Sequence, residues 1–216
     1  MMPMMQCTKT PQKPVRKIKS EKILIVEGAD ECHFFAVLLE HIGITGIEIY
    51  DMGGKDQFNT NMDAFVDTRG FDNVHTIGIV RDADDHCNGA FRSVCDCLTN
   101  LDDFNCTVPS EIEEFSSGDP TIGIYIMPGS LHNGMLEDLV LSTVISHPIM
   151  PHVDNFLNES MKLNPCPKNP SKAKNQIFLA SMEEIVCSVG LGARKHYWNL
   201  DDSNLSDLKY FLEKFR

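Results

Sequence analysis

Residues 22–31 read Lys22-Ile23-Leu24-Ile25-Val26-Glu27-Gly28-Ala29-Asp30-Glu31, and residues 74–84 read Val74-His75-Thr76-Ile77-Gly78-Ile79-Val80-Arg81-Asp82-Ala83-Asp84. Each begins with a short apolar run rich in β-branched residues, too short for a helix and of the kind that forms a strand covered on both faces. Each then meets acidic residues: Glu27-Gly28 directly after the first run, and Asp82-Ala83-Asp84 one residue (Arg81) after Lys22–Val26's counterpart Val74–Val80. Two further runs, Ile47–Met52 and Thr121–Met127, have the same character. Between them lie stretches with apolar residues at helical spacing: Asp30–Ile42, Asp56–Val66, Asn88–Leu101 and Met135–Ile145. Strand and helix in alternation predict an α/β fold with a mostly parallel central sheet of about four strands, flanked by helices.

The rest of the chain is placed around that unit. Asp102–Pro120 is acidic and turn-rich, which predicts a surface excursion with a short extra strand near Cys106–Val108. Beyond Pro148 no further strand pattern occurs, and Pro165, Pro167 and Pro170 mark a loop between helices. Helices near Lys172–Val186 and Ser203–Phe215 close the chain; the last carries Leu205, Leu208, Phe211, Leu212 and Phe215 on one face and should dock. The expected organisation is a basic disordered tail over 1–20, an α/β domain over 21–147, and a helical C-terminal extension over 148–216 packed on the same domain.

Composition narrows the function. The 216 residues contain 42% hydrophobic and 23% charged side chains, enough for one well-formed core. No apolar run approaches the roughly 20 residues that span a bilayer, so no membrane partner is expected. The Met-rich N-terminus is interrupted by Pro3 and lacks a secretory apolar stretch. Eight cysteines (Cys7, Cys32, Cys87, Cys95, Cys97, Cys106, Cys166, Cys187) contain no CxxC pair, which argues against zinc or a disulfide framework and for a reducing, cytoplasmic setting. Lys9, Lys13, Arg16, Lys17 and Lys19 crowd the first twenty residues, leaving 14 bases against 31 acids in the remainder, a net −17. Such a body repels phosphate backbones. If the substrate is nucleic acid, a metal must offset the carboxylates, or a protein partner or second copy must help.

The candidate chemistry follows from the sheet. Neighbouring parallel strands end on one edge, and ligands bind in the crevice outside those ends. Glu27, Asp82 and Asp84 should meet there, although over fifty residues separate the first from the others. Carboxylates that close stay ionised only around a cation, and all-oxygen ligands suit Mg²⁺ or Mn²⁺, one or two ions. Gly28 is expected to allow a sharp turn and close backbone approach to a phosphate. Competing constellations are weaker. A receiver domain would carry an acidic pair after the first strand, one aspartate after the third and a lysine after the last, where Met127-Pro128-Gly129 stands. Gly190-Leu191-Gly192 lacks the third glycine of a dinucleotide fingerprint and follows a helix, and no GxxxxGK[ST] phosphate loop occurs.

Val26-Glu27-Gly28-Ala29-Asp30-Glu31 followed later by Asp82-Ala83-Asp84 resembles the Toprim superfamily, a Rossmann-like fold shared by topoisomerases, bacterial primases, recombination-repair proteins and OLD-family nucleases. Glu31, four residues after the glutamate, and Gly134-Met135-Leu136-Glu137 resemble the OLD branch. Ser171-Lys172-Ala173-Lys174 and Gly192-Ala193-Arg194-Lys195-His196-Tyr197-Trp198 are similar to small stand-alone Toprim proteins. The resemblance spans Lys22 to the C-terminus and lacks the ATPase domain of full-length OLD proteins. It implies a Mg²⁺-dependent nuclease or related phosphoryl-transfer enzyme acting on nucleic acid. Asp82 and Asp84 would hold one ion, Glu27 would be ligand or general acid/base, and Glu31 and Glu137 would complete a second metal site. Lys172, or Lys174 in another register, would neutralise charge on the phosphorus centre. The alternative is a non-catalytic Toprim-fold module that binds or regulates within a larger complex; hydrolysis of a small phosphorylated molecule is a third reading.

Overall fold

The computed structural model describes residues 17–101 and 104–216. Four strands, β1 (Lys22–Val26), β2 (Ile47–Asp51), β3 (Thr76–Asp82) and β4 (Thr121–Met127), form one all-parallel sheet in the order β2-β1-β3-β4. The Rossmann-like α/β architecture expected from the sequence is present. Eight α-helices lie among the described residues: α1 (Ala29–His41), α2 (Phe58–Val66), α3 (Cys87–Thr99), α4 (Leu136–Ser142), α5 (Met150–Ser160), α6 (Pro170–Ala180), α7 (Val189–Arg194) and α8 (Ser206–Glu213).

Period-2 alternation divides the strands between two cores. Leu24, Val26, Val80, Tyr125 and Met127 face one core, built with α1 and with α4 to α8. Ile23, Ile25, Ile77, Ile79, Ile122, Ile124 and Ile126 face the other, built with α2 and α3. Because both faces are covered, the strands need apolar residues at every position, which is why they read as continuous runs. The C-terminal helix docks as its apolar face requires: Leu205, Leu208, Phe211, Leu212 and Phe215 all lie in the first core. At the other end of the chain, residues 1–16 of the expected tail lie outside the described residues, while Ile18 is buried in the second core with its N–H on the Arg69 carbonyl.

Several boundaries differ from expectation for physical reasons. β3 runs on through Arg81 to Asp82, so Asp82 closes the strand rather than following it. No strand forms at 106–108. The free edge of β4 is covered instead by 113–116, where Glu113 N–H bonds Ile124 O (2.7 Å) and Ser116 N–H bonds Ile122 O (2.8 Å), which blunts an edge otherwise open to pairing. The expected Met135–Ile145 helix ends at Ser142, and α5 and α7 are additional. The Pro165–Pro170 region is a loop, with α6 starting at Pro170, and ends at Ala180 short of Val186. Among the described residues no helix is long and apolar enough to cross a membrane.

The topology fixes where a ligand crevice opens. From β1 the chain runs outward through α1 to β2, then crosses under the sheet through α2 to β3 on the other side of β1. The two connecting helices lie on opposite faces, so the carboxyl ends of β1 and β3 flank a topological switch point.

Candidate functional site

Glu27 and Asp82 stand on the two sides of that switch point. The β1–β3 register pairs Ile25 with Ile79, which carries Glu27 opposite Arg81 and makes Asp82 point to the other face of the sheet. Each therefore finds a different environment. Arg81 Nε donates to Glu27 Oε1 at 2.9 Å, with the two side chains only 4% and 13% exposed, and its guanidinium lies 4.6 Å from the Phe58 ring centroid on the α2 side. Asp82 turns toward α1 and α4, where Asp82 Oδ1 accepts the Leu136 N–H at 2.9 Å at the first turn of α4.

Around Asp82 the remaining acids gather from separate elements. Glu31 comes from the first turn of α1 and Glu137 from the first turn of α4. Burial drives the Asp82 carboxyl well above the usual carboxylate range, and the charges of Glu27, Glu31 and Glu137 push it further. Glu31 is raised by burial first, then by Asp30, Glu27 and Glu137. Glu137 is raised by burial, with Lys172 opposing the shift and Asp30 and Asp138 adding to it. Four acids thus share one field; Lys172 at the exposed start of α6 reaches it through Glu137, and Lys55 feels the charge of Glu27. Lys174 is directed elsewhere, into an ion pair with Asp154 at 2.6 Å.

Asp84 stands apart from this group. Its φ of 48° lies in the left-handed region and its backbone is fixed by a two-bond antiparallel bridge to Gly134 (2.8 Å each way). Its carboxylate is held by Lys55 Nζ from the loop after β2. That loop is tied back to the site, since Gly54 N–H donates to the Glu27 carbonyl at 2.7 Å.

Gly28 has a φ of −149°, a value open to any residue, so a sharp turn does not explain the glycine. A Cβ there would sit 3.1 Å from Glu31 Oε2, so glycine leaves room for that carboxylate. Asp30 is a structural cap: its two oxygens accept the Val189 and Gly190 N–H groups (2.8 and 2.7 Å) and hold the start of α7. The glycines of Gly190-Leu191-Gly192 serve packing, Gly190 against His33 and Asp30 and Gly192 against Trp198. Asp138 accepts from Met135 N–H and from the Ser171 hydroxyl, joining α4 to α6.

For a divalent ion, the donor chemistry of this arrangement and the disposition of its side chains point in different directions. The donors are carboxylate oxygens, repelling one another with few cations between them, which suits a hard cation. Among the described residues no three His, Cys, Asp or Glu side chains are disposed to hold one ion together. One oxygen of each of three acids is already engaged: Glu27 is bonded to Arg81, Asp82 to the Leu136 N–H and Asp84 to Lys55. Arg81 and Lys55 are the site residues that motif reading passed over. A basic residue inside an otherwise apolar strand, directly before an acid, was the available signal for Arg81.

Fold and site together define a doubly wound, all-parallel α/β protein with a carboxylate cluster at its switch point. Residues 21–216 match the family described as "Protein of unknown function (DUF3226)", and the chain belongs to that family. No curated protein matches it. Among solved structures it is similar to the C-terminal region of the OLD protein of Xanthomonas campestris pv. campestris. The iodine- and mercury-phased structures share 14% identity with it, over 91% of this chain and 96% of the other, with a TM-score of 0.43. The platinum-phased structure shares 14% identity over 90% and 97%, with a TM-score of 0.35.

Proposed function

We propose that this protein hydrolyses phosphodiester bonds in nucleic acid as a Toprim-type nuclease, with one or two Mg²⁺ or Mn²⁺ ions held by carboxylates at the β1/β3 switch point. The observation that carries the reading is the contact of Asp82 at the end of β3 with the first turn of α4, where Leu136 N–H bonds Asp82 and Glu137 follows, beside Glu31 from the first turn of α1, which lies over Gly28 at the end of β1; burial and mutual charge raise all three carboxyls. A cluster that resists ionisation alone gains most from a cation. The motif resemblance of Glu27, Glu31, Asp82, Asp84 and Glu137 supports it independently.

Asp82, Glu31 and Glu137 would hold the principal ion only after their side chains turn toward one another from the described arrangement, with Glu27 held by Arg81 beside it. A bound divalent ion supplies Lewis-acid stabilisation of phosphoryl oxygens and a water acidic enough to attack near neutral pH. The chain supplies the rest. Arg81 fixes the Glu27 carboxylate in one orientation, so that Glu27 can take a proton at a defined place. Lys172, beside Glu137, offers an ammonium to the charge that builds on the non-bridging oxygens. The start of α4 holds Asp82 through the Leu136 N–H.

Purified protein with Mn²⁺ should nick or degrade DNA or RNA, and Asp82→Asn or Glu31→Gln should reduce cleavage to background. Cleavage surviving in the double variant refutes the assignment. A second reading, a binding or regulatory module of the same fold, is favoured by the bonds that Arg81 and Lys55 already make to two of the acids. Metal binding without turnover on any nucleic acid identifies that case.

A further inference from the structure

Arg81 carries more hydrogen-bonding capacity than its carboxylate partner uses. A guanidinium has five N–H donors in a planar fork, and this one is on a side chain only 4% exposed. Nε is spent on Glu27, and the Phe58 ring backs the plane at 4.6 Å. Among the described residues neither terminal nitrogen has a protein partner, yet neither is sealed from solvent. The cleft that Arg81 lines receives them. It measures about 260 Å³ and lies between β3, the loop after β2 and the first turns of α3, with Lys55, His86, Gly89 and Ser93 in its walls.

Gly89 and Ser93 also line a second groove, of about 420 Å³, which runs on between α2 and α3. Its walls carry Asn59, Asp63, Asp96 and Asn100, a set of amides and carboxylates able to bond hydroxyl and base edges. Cys97 lines the same groove; burial and then Asp63 raise its thiol, and the charge of Arg81 opposes them, so the guanidinium is felt along it. Acids limit what the two spaces can hold. In the smaller cleft Asp84 is paired with Lys55, Asp82 is bonded to the Leu136 N–H on the α4 side, and Asp85 is exposed at the rim. One compact oxyanion that gives two oxygens to the fork suits that balance. A row of phosphates does not, because Asp63 and Asp96 would meet the next ones.

We propose that the cleft between β3 and α3 is a phosphomonoester site: Arg81 grips the phosphate of a nucleoside monophosphate, free or at the 5′ end of a strand, and the nucleoside lies along Ser93 to Asn100 in the adjoining groove. The site is on the α2 and α3 side of the sheet, across from the carboxylate cluster, and requires neither a metal ion nor hydrolysis.

Calorimetric titration of the full chain in EDTA tests it. The probes are inorganic phosphate, adenosine, adenosine 5′-monophosphate, and a 12-nucleotide single strand with and without a 5′-phosphate. Wild type should bind the monophosphate at least about tenfold more tightly than adenosine, the value of one charge-assisted hydrogen bond, and more tightly than inorganic phosphate. Arg81→Lys keeps the charge and loses the fork, so it should weaken the monophosphate by about tenfold. Because Arg81 is enclosed, an exposed position carries the same test. Ser93→Glu sets a carboxylate where the two spaces join and should also weaken the monophosphate about tenfold or more, while Ser93→Ala should stay within about twofold of wild type. Tighter binding of the phosphorylated strand than of the monophosphate supports a strand end as the source; the reverse order supports the free nucleotide. Equal affinity for the monophosphate and inorganic phosphate overturns the placement of the nucleoside. No phosphate-dependent binding by wild type, or undiminished affinity in Ser93→Glu, overturns the site and leaves the carboxylate cluster untouched.

Discussion

Replacing Arg81 by Met tests the internal bookkeeping of the site. Arg81 is 4% exposed and is bonded to Glu27, whose side chain is 13% exposed and shares the field of Asp82 and Glu31. Removing one partner of such a pair leaves an uncompensated enclosed charge, at a cost of about 3–5 kcal/mol. The guanidinium's position over Phe58 lies within that figure rather than beyond it, since Met keeps much of the apolar contact. Glu27→Gln leaves an amide oxygen that can still accept from Nε and removes one repelling charge from Asp82, so it should cost less, about 1–3 kcal/mol. The double variant carries neither charge and should recover about 2 kcal/mol or more of the Arg81→Met loss. Urea unfolding at pH 7 in EDTA, with m unchanged across the four proteins, gives the coupling. Additivity within about 0.5 kcal/mol would refute the claim that Glu27 depends on Arg81 for compensation.

Other outcomes follow from the same contacts. Asp82, Glu31 and Glu137 are raised in the folded chain, so without metal the stability they contribute is complete below the ordinary carboxylate pKa of about 4 and is lost as pH rises through their folded values. Asp82→Asn in EDTA should therefore melt above wild type at pH 7.5, by about 2–4 °C for each kcal/mol relieved, with the gap closing on acidification; a variant melting lower at both ends of the range contradicts this. Millimolar Mg²⁺ should raise the wild-type melting temperature by mass action and leave Asp82→Asn unmoved. Gly190→Ala would place a Cβ 2.4 Å from His33 Cβ and 2.7 Å from the Asp30 carbonyl oxygen, so the packing of α7 on α1 should weaken by about 1–3 kcal/mol, read as a lower urea midpoint.

How far the sequence could be read depended on whether hydrophobicity alone decided the element. β1 and β4 have the bounds their apolar runs predict, because both faces are covered. The apolar run Val74–Val80 lies two residues ahead of β3 at both ends (Thr76–Asp82); at the far end Arg81 looks like a strand end until its guanidinium is seen lying over Phe58. Helix α5 buries only Met150 and Val153, a stripe too sparse to register, and α7 is a six-residue helix interrupted by two glycines of poor helix propensity. For the site, parallel topology was enough to place Glu27 and Asp82 at neighbouring strand ends. It was not enough to show that pleat parity sends them to opposite faces, toward Arg81 and toward α4. Nor could it show that Asp84 belongs to Lys55, because that pairing depends on a left-handed residue and a loop after another strand.

Anomalous diffraction from crystals soaked in Mn²⁺ at pH 7.5 addresses the proposed chemistry at its source. One or two manganese peaks bonded to Asp82 and to at least one of Glu31 and Glu137 are expected. A saturating soak with no peak among those three carboxylates would contradict it.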